Sequence, residues 1–231
     1  MSSATRSNSE PIGARNHGGV LSVPRTAESD AREDASDSWE QAQIAAIRRG
    51  DTKVGQQLYT RLIRVIDSTL TRVVGPGQPD HDDWVQVTFE EVVRTIYDGR
   101  FQGRCRLTSW AASIASHVGL NAIRSRKTER GIFERGEPLE SPNLAYGASN
   151  PEAMLEARDS LRKLREALAT LSPGRAEAVL LHDALGYNLS EVAAMTSSSE
   201  AAVQSRLVRG RRDLEERLEI TPKTNPKGRE G

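Results

Sequence analysis

The chain has 231 residues, of which 36% are hydrophobic, 4% aromatic and 28% charged, and 32 Lys and Arg balance 32 Asp and Glu. So little apolar and aromatic content excludes one large core and favours small helical domains built on Leu, Val, Ala and Ile. The one cysteine, Cys105, excludes an intramolecular disulfide framework and fits a reducing compartment. No apolar run is long enough to span a bilayer and the N-terminus has no apolar signal core, so a cytoplasmic protein is expected.

The zero net charge hides a segregation. Acidic residues gather at Glu28 to Asp37 and Asp80 to Glu91, basic ones at Arg100 to Arg135 and Arg206 to Arg212. Segregated charge of this kind suggests two kinds of partner.

In chain order, residues 1–36 are polar and poor in large apolar side chains, and read as a disordered tail. Order is expected from Asp37, with Trp39, Ile44 and Ile47 marking a short helix that stops at Gly50. Val54, Leu58, Leu62, Val65, Ile66 and Leu70 form a helical stripe that Gly75-Pro76-Gly77 breaks. Asp80 can cap the next helix, which carries Trp84, Val85, Phe89, Val92, Val93 and Ile96 and ends near Gly99. A basic loop, Arg100 to Leu107, leads to a fourth helix from Thr108 or Ser109 that carries Trp110, Ile114, Val118, Leu120 and Ile123.

Residues 134–150 contain Gly, Pro and Asn without periodicity and read as a flexible linker. Asn150-Pro151 and Ser172-Pro173 are each a cap followed by Pro at the first helical position. They open helices with apolar residues Met154 to Leu171 and Ala176 to Leu185. Residues 220–231 read as a tail. The fold class expected is all-α: two small helical domains, 37–133 and 151–219, joined by the linker.

The stretch Asn188 to Leu218 carries the clearest motif. Asn188 and Glu191 make a capping-box pattern, Thr196 to Ser199 a polar turn, and Glu200 suits the first turn of a second helix. Val203, Leu207, Leu214 and Leu218 share one helical face, leaving Gln204, Ser205, Arg206, Arg209, Arg211 and Arg212 on the rest. A short helix, a tight turn and a basic second helix are the signature of a helix-turn-helix, whose second helix enters a DNA major groove.

Other chemistry is weak. Asp80, Asp82 and Asp83 with His81 are better explained as acids at a helix start than as a metal site. His182-Asp183 does not make a catalytic dyad, and no phosphate loop or nucleophile elbow is present, so no enzyme, metal or cofactor is expected. Cys105 lies between Arg104 and Arg106, which can activate a thiol, but it has no resolving partner. Trp110 is either core or a base-stacking platform.

Together these pieces resemble a known family. Asp82-Asp83-Trp84-Val85-Gln86-Val87-Thr88-Phe89, then Phe101, Thr108-Ser109-Trp110, Ile114-Ala115 and basic Arg124 to Lys127 resemble region 2 of a bacterial sigma factor. Leu161 to Leu218, with Leu171-Ser172-Pro173 and Val203-Gln204-Ser205-Arg206-Leu207, resembles region 4. The short linker and the absence of further regions resemble the extracytoplasmic-function group of the sigma-70 family.

The resemblance implies a subunit that directs RNA polymerase to promoters. Asp83, Gln86, Val87 and Glu90 fall where the family docks on the clamp helices of the polymerase β′ subunit, with Val87 at a position where Glu is frequent. Phe101, Arg104, Arg106, Trp110, Arg124, Arg126 and Lys127 fall where it opens and reads the −10 element, with Arg100 and Arg130 adding basic charge. Ser116-His117 departs from the Arg-Asn usual after Ile-Ala. Ser199, Gln204, Ser205, Arg206, Val208, Arg209 and Arg212 fall in the −35 reader, with Ser197 where a turn Gly is common. The other implied partners are the polymerase β flap, promoter DNA and an anti-sigma factor.

Overall fold

The computed structural model describes residues 27–132 and 151–218. The expected linker lies within 133–150, and the expected tail beyond 218, so both fall outside the described residues. Among the described residues the regular structure is entirely helical: α1 (Ala27–Arg48), α2 (Gly55–Val74), α3 (His81–Tyr97), α4 (Leu107–Ile132), α5 (Pro151–Thr170), α6 (Pro173–Val179), α7 (Leu189–Met195) and α8 (Glu200–Arg217). A single 3-10 turn, Thr52–Val54, precedes α2, and a wide i→i+5 turn, Leu180–Ala184, follows α6.

The start of α1 differs from the sequence expectation. It begins at Ala27 and not at Asp37. Glu28, Asp30 and three alanines in this stretch are compatible with a helix N-terminus, so low apolar content alone did not mark a chain end.

In the first group, Leu58, Leu62, Ile66 and Leu70 of α2 recur every four residues and are fully buried. They meet Val85, Val92 and Ile96 of α3, Leu107, Ala111, Ile114 and Ala115 of α4, and Ile44 and Ile47 of α1. The α2–α4 crossing is close because α4 presents small residues there. A Cβ on Gly119 would lie 2.7 Å from Val73 Cγ1. Asp80 stands at the N-cap of α3 but makes no capping bond. Its carboxylate accepts instead from Arg126 at 3.1 Å, while the Arg126 guanidinium lies 4.7 Å over the Trp84 ring. His81 pairs with Asp67 at 2.8 Å.

In the second group, α6 and α8 cross at Gly210, whose added Cβ would lie 2.7 Å from Val179 Cγ2 and 3.1 Å from the Arg175 carbonyl oxygen. Next to this crossing, buried Asp213 accepts from Arg175 at 2.5 Å, so the carboxylate is paired as burial requires. The two groups pack against each other: Val73, Val74, Ala112 and Leu120 belong to the same buried cluster as Leu168, Leu171, Val179 and Leu180.

Cys105 is half-buried, and its thiol is pushed up to about 11 by burial and by the nearby Glu40 carboxylate. The flanking arginines therefore do not activate it.

Two outcomes follow from this packing. Gly210→Ala gains about 1 kcal/mol of helix propensity. It also forces a methyl group onto a core valine and a backbone oxygen, so a net loss of about 1–2 kcal/mol is expected. Urea denaturation would read this as a lower midpoint at unchanged slope. At pH 7.5, Cys105 in the folded chain is expected to react with iodoacetamide at least tenfold more slowly than in the urea-unfolded chain, because the thiolate is the nucleophile.

Candidate nucleic-acid interface

The helix-turn-helix is built by local bonds that the sequence pattern names. The Asn188 side chain accepts from Glu191 N at 2.9 Å, and Glu191 Oε2 accepts from Asn188 N at 2.8 Å, closing the capping box. Met195 ends α7. Ser197 then takes φ +50°, the left-handed conformation that a glycine would fill more easily. Ser198 N donates back to Ala193 O at 2.9 Å. Ser199 stands at the N-cap of α8 and accepts from Ala202 N at 3.2 Å.

This turn fixes which face of α8 looks outward. Val203, Leu207, Gly210, Asp213 and Leu214 are buried. Gln204, Val208, Arg209 and Arg212 are exposed, with Val208 at 54%. Gln204 and Val208 stand one turn apart on the same face. Ser205 is half-buried.

Arg206 is also half-buried and turns inward. Its Nη1 donates to Ser198 Oγ at 2.9 Å, and its side chain lies against Gly174. Burial pushes the Glu177 carboxyl up, and His117 and Arg206 close by pull it back. Arg206 thus ties α8 to the turn, where the sequence placed it among base readers. Arg211 pairs with Asp183, and Arg212 approaches Glu216 at 3.6 Å. His182 Nδ1 lies 2.7 Å from Tyr187 O, so His182 and Asp183 have separate structural partners.

The loop between α3 and α4 is held from both ends by α1. Arg48 Nη2 donates to Phe101 O at 2.7 Å, and Leu107 N donates to the buried Glu40 carboxylate at 2.9 Å. Gly99 and Gly103 take positive φ and turn the loop. Phe101 is 2% exposed and packs on Trp110 at 5.5 Å, and Trp110 Nε1 donates to Thr95 Oγ1 at 3.1 Å. Trp110, the candidate stacking platform, is half-buried against the core in this state, and the Phe101 ring lies within that core. Arg104 and Arg106 are exposed on the loop, and Lys127 on α4. Arg100 pairs with Glu91 and Asp98. Arg124 and Arg126 are engaged within the protein: Arg124 on the carbonyls of Ala169 and Leu171, Arg126 on Gln78 and Asp80. The Arg130 side chain lies outside the described residues.

On α3, Asp83, Gln86, Val87 and Glu90 all face solvent on one side of the helix. Gln86 Nε2 donates to Glu90 Oε1 at 3.0 Å, and Val87 is 50% exposed in their midst. This is a polar, acidic face with an apolar centre. Among the described residues no group of three or more His, Cys, Asp or Glu could hold a metal, and no helix is long and apolar enough to cross a membrane.

Sequence reasoning missed Glu40, Arg48 and Ser198. Glu40, Gln43, Ile44, Ile47 and Arg48 fall on one helical stripe, so the inward direction of Glu40 and Arg48 was legible from spacing. Their partners, more than forty residues away, were not.

Residues 161–214 match the family of sigma-70 region 4. The chain is 28% identical over 216 residues to the ECF RNA polymerase sigma factor SigG of Mycobacterium tuberculosis (strain H37Rv), a match covering 85% of this chain and 54% of that protein. The chain thus spans about half the length of that relative. It is 23% identical over 185 residues to the ECF RNA polymerase sigma-E factor of Escherichia coli (strain K12), covering 78% of this chain and 94% of that one. Among solved structures it is similar to CnrH, determined in complex with the cytosolic domain of CnrY, with 22% identity, a TM-score of 0.45, and coverage of 78% and 97%. The region 4 match lies on α5 to α8, and the two ECF sigma factors named here match 85% and 78% of this chain at 28% and 23% identity.

Proposed function

We propose that the chain is a promoter-specificity subunit of RNA polymerase, without catalysis of its own, acting in the cytoplasm. The observation that carries this reading is the outward face of α8, with Gln204, Val208, Arg209 and Arg212 presented by a capped helix-turn-helix. In this reading residues 37–133 form the unit that docks on polymerase and opens the −10 element. Residues 151–219 form the −35 reader, which also meets the β flap. An anti-sigma factor is the further partner that the similarity to ECF sigma factors suggests.

The chemistry of each face suits its assignment. Gln204 can bond adenine through two atoms in the major groove, and Val208 can pack on a thymine methyl group. Arg209 and Arg212 supply charge for phosphates. Arg104 and Arg106 are exposed cations on the loop assigned to the −10 element, and Lys127 is exposed further along α4, all suited to an opened strand. The acidic face of α3, with Val87 at its centre, suits a basic partner surface with an apolar spot.

Asp83→Arg combined with Gln86→Ala is expected to weaken core polymerase binding by at least tenfold in a pull-down, with the circular dichroism spectrum unchanged. Equal binding would refute this docking face.

A library of −35 sequences transcribed by variant holoenzymes separates reading from affinity on α8. Gln204→Ala is expected to relax preference at one base pair, a loss of about 1–3 kcal/mol there. Arg212→Ala is expected to lower output on all promoters alike and to flatten the salt dependence. An unchanged base preference with Gln204→Ala, or a shift at one base with Arg212→Ala, would reverse these roles. Arg206→Ala is expected to lower the urea midpoint as well as activity, since its bond to Ser198 holds the turn.

A further inference from the structure

The loop assigned to the −10 element is tied to α3 through one residue, Thr95. The helix ends in a Schellman turn: Gly99 takes φ +72°, its N–H donates to Ile96 O at 3.1 Å, and Arg100 N donates to Thr95 O at 2.9 Å. Phe101 N donates to the same Thr95 carbonyl at 3.1 Å. That carbonyl therefore takes the first two amides of the loop, while Arg48 takes the Phe101 carbonyl.

The Thr95 side chain serves the aromatic half of the same element. Its Oγ1 donates to Val92 O at 2.9 Å and accepts from Trp110 Nε1 at 3.1 Å. A threonine hydroxyl has one proton, and an indole N–H only donates. With the proton given to Val92, the hydroxyl offers the indole lone pairs alone, so donor and acceptor match. Thr95 is 4% exposed, which shields both bonds from water. The indole is thus set at its edge by this hydroxyl and on its ring by Phe101, 5.5 Å away. The face that carries Asp83, Gln86, Val87 and Glu90 belongs to the same helix.

We propose that Thr95 is the positioning residue for −10 reading. Its carbonyl sets the start of the loop and its hydroxyl sets the Trp110 indole, both relative to the helix that docks on polymerase. The inference rests on the functional reading above, in which loop and indole meet the opened strand. Thr95 itself touches no DNA and acts through Trp110. A ring held in place before binding has less freedom to lose when a base stacks on it. A valine at this position keeps the branched shape and the backbone bonds and removes the hydroxyl alone. The indole N–H then has no acceptor on α3 and turns to water, and the strand must order the ring itself.

The test compares Thr95→Val and Thr95→Ser in the full chain. In the free protein, labelled with ¹⁵N, the Trp110 indole signal is assigned by its loss in Trp110→Phe. Its N–H is expected to exchange with water severalfold faster in Thr95→Val, with the Trp39 and Trp84 signals unchanged. Opening is followed with core polymerase, on a promoter that the wild-type chain transcribes, as permanganate reactivity of the −10 thymines. It is expected to slow about fivefold with Thr95→Val, the worth of one neutral hydrogen bond. Core polymerase affinity and −35 preference are expected to stay unchanged, and Thr95→Ser, which keeps the hydroxyl, to open at the wild-type rate. In a Trp110→Phe chain, Thr95→Val is expected to slow opening no further. Wild-type opening by Thr95→Val, an equal loss with Thr95→Ser, or a parallel loss of core affinity and −35 preference would overturn the inference. So would a further loss in the Trp110→Phe chain. Should the wild-type chain open no promoter with core polymerase, the functional reading fails and the positioning role fails with it, while indole exchange still reports the Thr95 bond.

Discussion

Helix ends that meet inside a protein must find partners for backbone groups that the helix cannot pair, and in this chain distant charged side chains supply many of them. Glu40 accepts from the first amide of α4, and Arg48 takes the carbonyl of Phe101. Arg165, Arg72 and Arg124 take carbonyls at the ends of α2, the wide turn after α6, and α5. The chain has few aromatic residues and only modest apolar cores, so these charge-assisted bonds set where helices stop and how they meet. The loop given to −10 recognition has its shape because α1 grips both of its ends.

The same constraint explains what the sequence made legible. Bonds closed within four residues were readable: the Asn188–Glu191 capping box, the buried stripe from Leu58 to Leu70 and the inward face of α8 all stand where spacing puts them. Bonds closed between elements were not. Asp80 has the local pattern of a cap, yet its carboxylate accepts from Arg126, forty-six residues on. Arg124 and Arg126 read as a basic surface run, but one serves the end of α5 and the other Gln78, Asp80 and Trp84. Spacing gives the face of a helix and leaves open what that face meets.

The candidate site shows the same division at finer scale. Gln204, Val208, Arg209 and Arg212 were separable from the buried stripe by period alone. Arg206 was not separable from the readers, because its inward turn depends on Ser198 and on the room beside Gly174. Phe101 likewise sits in a polar, basic loop, and only the three-dimensional approach of Trp110 and Arg48 takes its ring into the core. Segregated charge remains the sequence feature with the widest reach: the acidic α3 face and the exposed cations of α8 lie on different elements, as two partners of opposite charge require.

The similarity to ECF sigma factors, the capped helix-turn-helix and the acidic α3 face support the proposed role of a subunit that acts only together with polymerase. The most direct measurement is transcription by core polymerase, with and without this chain, on a library of randomised promoters. The account expects initiation that depends on the chain, with the transcribed promoters enriched in two separated sequence elements. Absence of chain-dependent transcripts, together with tight sequence-specific binding of the isolated chain to duplex DNA at physiological salt, would contradict it.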